Sequence, residues 1–296
     1  MTPYDEIRYP TRTYVQTHPD RLATMARFAG LQATSPRQCR TLEIGCGDGM
    51  NLLAMAAALP DSEFIGIDLA PSAIEKARAW AEELDLRNVR FLAADVGQIG
   101  PGELGTCDYV IAHGLFSWVP DAVRERILAL VSGILTPNGV AYISYNAYPG
   151  CHLREMAWQM MRYHVAPRET AREQIDQARS LLNLLVKNRS DTTEAYHQAL
   201  EEALEHSLDY HEAAFYHDDL SPLNQPFYFH EFIARAQRYG LQFLGEADIR
   251  DLYFGDDTKP VTAILHEMEQ QDPLAKEQYL DFLTGRRFRQ TLLCRS

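Results

Sequence analysis

The residues best placed to do chemistry form one short run, Glu43-Ile44-Gly45-Cys46-Gly47-Asp48-Gly49, between an apolar stretch and a helical one. Glycines at alternate positions let the chain turn tightly and bring its backbone against a ligand. Dinucleotide-binding proteins also use a glycine-rich loop, but with GxGxxG spacing and a helix amino terminus facing a pyrophosphate. Here the spacing is GxGxG. The preceding Glu43 repels a pyrophosphate and suits a ligand carrying a positive amino group and a sulfonium. The competing reading is a polar residue that merely ends a strand. Asp68 closes the next apolar run, Phe64-Ile65-Gly66-Ile67-Asp68, roughly 20 positions on, where a carboxylate accepts from both hydroxyls of a ribose. Ahead of Pro71 it could equally serve as a helix N-cap. Asp95 follows Phe91-Leu92-Ala93-Ala94 and is placed to accept from an adenine amine, or to be a solvated turn residue. Gly45, Cys46, Gly47, Gly49, Asn51, Leu69, Val96 and His113 complete the expected cofactor contacts around these three carboxylates.

A second constellation would face the group that reacts. It comprises His113-Gly114-Leu115-Phe116-Ser117-Trp118-Val119-Pro120 and Tyr145-Asn146-Ala147-Tyr148-Pro149-Gly150. His113 has an ordinary pKa near 6.5, so it either takes a proton at neutral pH or hydrogen-bonds the cofactor or nearby backbone. Tyr145 and Asn146, at a strand's end, would orient an amine or hydroxyl. Phe116, Trp118, Tyr145 and Tyr148 would contact the acceptor, and His113, Tyr145 and Asn146 are the catalytic candidates. Histidines also gather at 197, 206, 211, 217 and 230, beside Asp218 and Asp219. Their spacing fits no single helix face, so hydrogen bonding is expected there and no metal.

Alternating elements must position these residues. Strands are predicted at Arg40–Ile44, Glu63–Asp68, Val89–Ala94, Tyr109–Ala112 and Val140–Tyr145. Helices are predicted between them at Asn51–Leu59, Ser72–Leu84 and Asp121–Leu135, with Asn138-Gly139 turning the chain after the third. From 151 to 222 the pattern turns helical throughout, at Arg154–His164, Glu169–Lys187 and Thr192–His217. A helix Phe229–Tyr239, a strand Leu241–Ala247, helices Lys259–Glu269 and Leu274–Thr284, and a strand Gln290–Cys294 follow. The fold class is therefore α/β: a doubly wound, mostly parallel seven-stranded sheet with an all-helical insertion before the last two strands. The expected organisation is a lead-in or lid at 1–39, containing Tyr4, Tyr9, Tyr14 and His18, and a cofactor-binding core at 40–150. A regulatory or substrate-capping insertion at 151–222 and a return to the sheet at 223–296 complete it.

Composition bounds the class. Of 296 residues, 46% are hydrophobic and 23% charged, enough for a sizeable core. A net charge of −13 argues against a broad nucleic-acid surface, which relies on Lys and Arg. Five cysteines without CxxC spacing, no basic and apolar leader, and no apolar run long enough to span a bilayer predict a cytoplasmic chain with no membrane partner.

The glycine loop with Glu43, Asp68 and Asp95 resembles the cofactor site of class I, Rossmann-like S-adenosylmethionine-dependent methyltransferases. Further strings are similar to a bacterial group of these with a methyltransferase regulatory domain, to which rickettsial protein-lysine methyltransferases are also similar. They are Thr17-His18-Pro19-Asp20-Arg21-Leu22, His113–Pro120, Ser144–Gly150, Tyr228-Phe229-His230-Glu231-Phe232 and Arg287–Cys294. The resemblance implies S-adenosyl-L-methionine as cofactor and a methyl acceptor that is a protein lysine or a small molecule. It also admits a non-catalytic cofactor-binding module. Tyr145-Asn146-Ala147-Tyr148 departs from the Asn-Pro-Pro-Tyr signature of nucleic-acid amino-methyltransferases, which again argues against a nucleic-acid acceptor.

Overall fold

The computed structural model describes residues 12–165, 170–188, 193–209, 211–249 and 260–296. They form two compact units, one from 12–148 with 225–296, the other from 149–224.

The first unit is built on seven strands: β1 Arg40–Ile44, β2 Glu63–Asp68, β3 Val89–Ala93, β4 Cys107–Ala112, β5 Leu135–Asn146, β6 Leu241–Glu246 and β7 Phe288–Arg295. Their order is β3-β2-β1-β4-β5-β7-β6. Neighbours from β3 to β5 are parallel, and β7 runs antiparallel to both β5 and β6. The chain steps outward from β1 through β2 to β3, then crosses back to β4 on the other side. That reversal leaves a crevice at the carboxyl ends of β1 and β4, where open α/β sheets bind ligands.

Alternation along each strand fills both faces. Leu42, Ile44, Ile65, Ile67, Val110, Ala141 and Ile143 join one apolar cluster with helices α4 Asp121–Ile134 and α8 Phe229–Gln237. Phe64, Tyr109, Ile111, Val140, Tyr142 and Leu292 join another with α1 Pro19–Phe28, α2 Met50–Ala58 and α3 Pro71–Glu83. Pro71 opens α3, as its preset φ favours. α1 belongs to the expected lead-in but was not anticipated as a helix. His18 Nδ1 accepts from Asp20 N–H at its start, with Pro19 in the first turn. Tyr4 and Tyr9 lie outside the described residues.

Asn138-Gly139 falls inside β5 instead of ending a separate turn. Opposite β4, the pairing jumps from Cys107–Leu135 to Tyr109–Val140, so the extra residues bulge out. At the other edge, Arg289 in β7 is fully buried. It donates to Glu246 at 2.7 Å, Asp281 at 2.9 Å and Glu277 at 3.2 Å, tying β7 to β6 and to α10 Pro273–Thr284. The preceding helix, α9 Pro260–Gln271, begins next to the expected Lys259, which lies outside the described residues.

The second unit is helical: α5 Cys151–Val165, α6 Ala171–Lys187 and α7 Glu194–Asp209. The single helix anticipated over 192–217 is interrupted. His211 is extended, with ψ of 135°, and caps a new turn by accepting from Ala213 N–H. A one-turn α segment and a π turn over Phe215–Asp219 follow. Inside the unit, Asp219 accepts from Arg154 and Trp158 and faces His206. His197 faces Glu201. In the first unit, His230 Nδ1 lies 2.8 Å from Gln278. Among the described residues no helix is long and apolar enough to cross a membrane.

Candidate active site

Strand register brings the expected residues to one rim. Ile44 of β1 pairs with Ile67 of β2, and Asp68 with Ala93 of β3. Glu43 pairs with Ile111 of β4, whose neighbour Ala112 pairs with Ile143 of β5. Glu43, Asp68, Asp95, His113 and Asn146 therefore all lie at carboxyl ends of adjacent strands.

The loop after β1 is held from β2. Gly45 and Cys46 N–H groups donate to Ile67 O, and Gly47 N–H donates to Asp68 Oδ2 at 2.8 Å. Two glycines are demanded by geometry. Gly47 has φ of +55°, and Gly49 has φ of +78° with Phe91 Cε1 only 2.5 Å from where a Cβ would stand. Asp68 Oδ1 accepts from Ala70 N–H, so it braces the turn before α3, although Ala70 is the N-cap. Asp95 Oδ1 accepts from Gly97 N–H in the same manner. Cys46 is buried, which pushes its thiol well up. Leu69 is largely exposed and Val96 half-buried.

Glu43 is the site's electrostatic centre. It is 4% exposed, its Oε1 accepts from Asn51 Nδ2 at 2.9 Å, and its Oε2 has no hydrogen-bond partner among the described residues. Burial pushes its pKa up to about 8. A buried carboxylate oxygen with nothing to accept is costly, and a ligand ammonium would satisfy it. Asn51 also donates to Thr17 Oγ1 at 3.0 Å and accepts from Tyr14 N–H at 2.9 Å. The lead-in is thus tied to the same carboxylate. The residues present fit a ligand with an ammonium at Glu43 and hydroxyls at Asp68.

On the β4–β5 side, His113 Nδ1 lies 3.0 Å from Tyr142 Oη and 3.1 Å from Ser144 Oγ. Its ring centroid is 4.0 Å from that of Tyr14 and 6.1 Å, edge-on, from that of Phe288. Desolvation lowers its pKa to about 4, so the imidazole is neutral at pH 7. Asn146 is nearly buried, and its N–H donates to Ser117 Oγ at 2.8 Å. Trp118 and Tyr148 are half-buried, the Tyr148 ring 5.2 Å from that of Tyr228.

Two expected acceptor residues are not brought to this rim. Tyr145 is 1% exposed, its ring stacked on Phe232 at 4.2 Å and its hydroxyl accepting from Thr291. Phe116 is fully buried against Tyr145, Phe227 and Phe232. The reason is the pleat: residues 142, 144 and 146 share one face of β5, while Tyr145 points to the other. Tyr142 and Ser144 are the residues missed, and period-two alternation was the signal that could have found them.

Residues 41–139 match the family described as "Methyltransferase domain", and residues 211–295 match "Predicted methyltransferase regulatory domain". The Rickettsia prowazekii protein RP028 is 32% identical over 241 residues, covering 81% of this chain and 96% of that protein. The chain belongs to the class I S-adenosylmethionine-dependent methyltransferases with a methyltransferase regulatory domain. A second Rickettsia prowazekii protein, RP789, is 35% identical over 292 residues, 99% of this chain but 52% of its own length. Among solved structures, PKMT2 from Rickettsia typhi in complex with AdoHcy matches with a TM-score of 0.87 at 33% identity, over 97% of this chain and 55% of that one. The chain thus spans about half the length of these two relatives. Its regulatory match falls mostly on the segment that completes the sheet, not on helices α5 to α7. S-adenosylmethionine is the cofactor of this family, and the loop, Glu43 and Asp68 have the chemistry to hold it.

Proposed function

We propose that this chain transfers a methyl group from S-adenosylmethionine to a primary amine, with a protein lysine side chain as the acceptor. The observation that carries the donor side is the unpaired, buried Oε2 of Glu43 beside the glycine loop. In this reading Glu43 and Asn51 hold the ammonium end of the cofactor, and Gly45, Cys46, Gly47 and Gly49 line it. Asp68 and Leu69 take the ribose, Asp95 and Val96 the adenine. The likeness to PKMT2 over nearly the whole chain supports a protein acceptor.

When bound, the cofactor supplies a methyl group already activated on a sulfonium. What this chain must do is align an acceptor, and alignment accounts for much of the rate in such displacements. A lysine ammonium, with a pKa near 10.4, must first lose its proton. His113, at about 4, is a poor sink for it. Placing a proton there at pH 7 lies roughly 4 kcal/mol uphill. The proton therefore leaves to solvent, while neutral His113, Asn146, Trp118 and Tyr148 position the amine.

The test is incubation with methyl-labelled cofactor and a bacterial cell extract, followed by amino-acid analysis of the labelled fraction. Methyl-lysine in protein is the expected product. Label confined to small metabolites, or no label while S-adenosylhomocysteine still binds, would overturn the lysine reading.

A further inference from the structure

We infer that Tyr142, Ser144 and Gln290 hold His113 as its Nδ1–H tautomer, so that Nε2 offers a lone pair that accepts an N–H from the acceptor amine. This rests on the reading of the site as an amine methyltransferase and names the residues that would set its acceptor class.

The argument is an accounting of hydrogens. Two hydroxyl oxygens face Nδ1, Tyr142 Oη at 3.0 Å and Ser144 Oγ at 3.1 Å. The Tyr142 hydrogen is already committed, since Oη donates to Gln290 Oε1 at 3.0 Å. Ser144 Oγ already accepts one backbone hydrogen, from Gly114 N–H at 2.8 Å. A hydroxyl oxygen has two lone pairs, so both can still accept. With the proton on Nδ1, both oxygens meet a donor. With the proton on Nε2, Ser144 could donate its hydroxyl hydrogen to Nδ1 at 3.1 Å, but the Tyr142 lone pairs would still face the Nδ1 lone pair at 3.0 Å, a repulsive contact in a buried site. The neutral state of the ring is set separately, by desolvation.

Nε2 is the polar atom left over. It has no hydrogen-bond partner among the described residues. Tyr14 covers a face of the ring and Phe288 stands edge-on to it, while His113 itself is half-buried at the carboxyl end of β4. A lone pair there accepts from a neutral amine and leaves the amine nitrogen's own lone pair for the methyl. The same lone pair repels a carboxylate or phenolate. The consequence is specificity: this rim takes acceptors that bring a hydrogen and disfavours those that bring a negative charge.

The experiment is long-range nitrogen–proton NMR on histidine-labelled protein saturated with S-adenosylhomocysteine, with His113→Gln to assign the signal. Pyrrole-type Nδ1 and pyridine-type Nε2 shifts are expected, and the reverse pattern overturns the inference. Gln290→Leu frees the Tyr142 hydrogen to donate to Nδ1. The tautomer should then flip to Nε2–H, with S-adenosylhomocysteine affinity within about threefold of wild type. An unflipped tautomer in that variant removes Gln290 from the assignment. Titrating the wild-type complex at pH 9 with Nα-acetyl-lysine methylamide should shift Nε2, whereas propionate should not. The affinity for that amine should fall about tenfold in Gln290→Leu, the loss of one hydrogen bond. A response to propionate, or none to the amine, rejects the acceptor class. Turnover enters none of these readings. A protein that methylates no lysine yet shows Nδ1–H sinks the proposed function alone, and lysine methylation with Nε2–H sinks the tautomer alone.

Discussion

Glutamine in place of Glu43 keeps the hydrogen bond from Asn51 and removes the group whose ionisation the cofactor is proposed to require. With its pKa at about 8, the free protein at pH 7 carries a proton on Glu43 in about nine-tenths of molecules. An ammonium against the unpaired Oε2 favours the ionised form, and a preference of roughly 1.5–3 kcal/mol should make binding expel roughly 0.5–0.8 proton at pH 7. Ionising the group one pH unit below its pKa costs about 1.4 kcal/mol. A charge-assisted hydrogen bond returns roughly 1.5–3 kcal/mol. The net at pH 7 is about 1 kcal/mol, so Glu43→Gln should weaken S-adenosylhomocysteine about fivefold there. At pH 9 the charge is already present and the gap should widen to roughly 10- to 100-fold. Isothermal calorimetry of both proteins from pH 6 to 9, in two buffers of different ionisation enthalpy, reads affinity and proton release together. The ligand's own amine titrates equally in both experiments, so the difference isolates Glu43. A gap that stays constant with pH, with equal proton release from the two proteins, would refute the reasoning.

Three further outcomes are expected. Gly49→Ala must hold an L side chain at φ of +78° with its Cβ 2.5 Å from Phe91. It should lose roughly 2–4 kcal/mol of stability by chemical denaturation, and a loss below about 1 kcal/mol would mean the loop relaxes freely. Tyr145→Phe removes one buried hydrogen bond, to Thr291, so it should cost about 1 kcal/mol of stability. Turnover should stay within about twofold, and a larger fall would return Tyr145 to the active site. His113, lowered to about 4 from 6.5, makes the unfolded chain bind the extra proton first as pH falls. Stability should be flat above about pH 6.5 and decline by on the order of 3 kcal/mol down to about pH 4. His113→Gln should abolish that share of the slope in urea titrations, and an unchanged slope would mean that another group carries it.

The limits of β1 and β2 were legible because each is a bounded apolar run, and α3 because Pro71 marks its first turn. The acid-bearing strand ends followed, since Glu43 and Asp68 close those runs. The acceptor side was read less well for a local reason. Ser144-Tyr145-Asn146 puts alternate residues on opposite faces, and a ranking by side-chain chemistry took Tyr145 with Asn146 and passed over Ser144. The break at His211 was invisible because apolar periodicity runs straight through it, whereas the departure at His211 is in the backbone, at ψ of 135°. Arg289 reads as a surface charge in isolation. Its burial depends on Glu246, Glu277 and Asp281, and nothing in the local sequence announces that these converge.

The chain leaves the sheet and returns to it at almost the same point. Phe227 N–H donates to Asn146 O at 2.9 Å, and Tyr148 N–H donates to Phe227 O at 3.0 Å. The backbone that leads into residues 149–224 and the backbone that returns from them are thus joined within the sheet's own unit. Closing the loop between them depends on length only logarithmically, about 0.6 kcal/mol per doubling. Evolution or an engineer could therefore shorten, lengthen or exchange residues 149–224 as a cassette while the glycine loop, Glu43 and His113 kept their places. Divergence among relatives should concentrate there, and new acceptors could be acquired without touching the donor machinery.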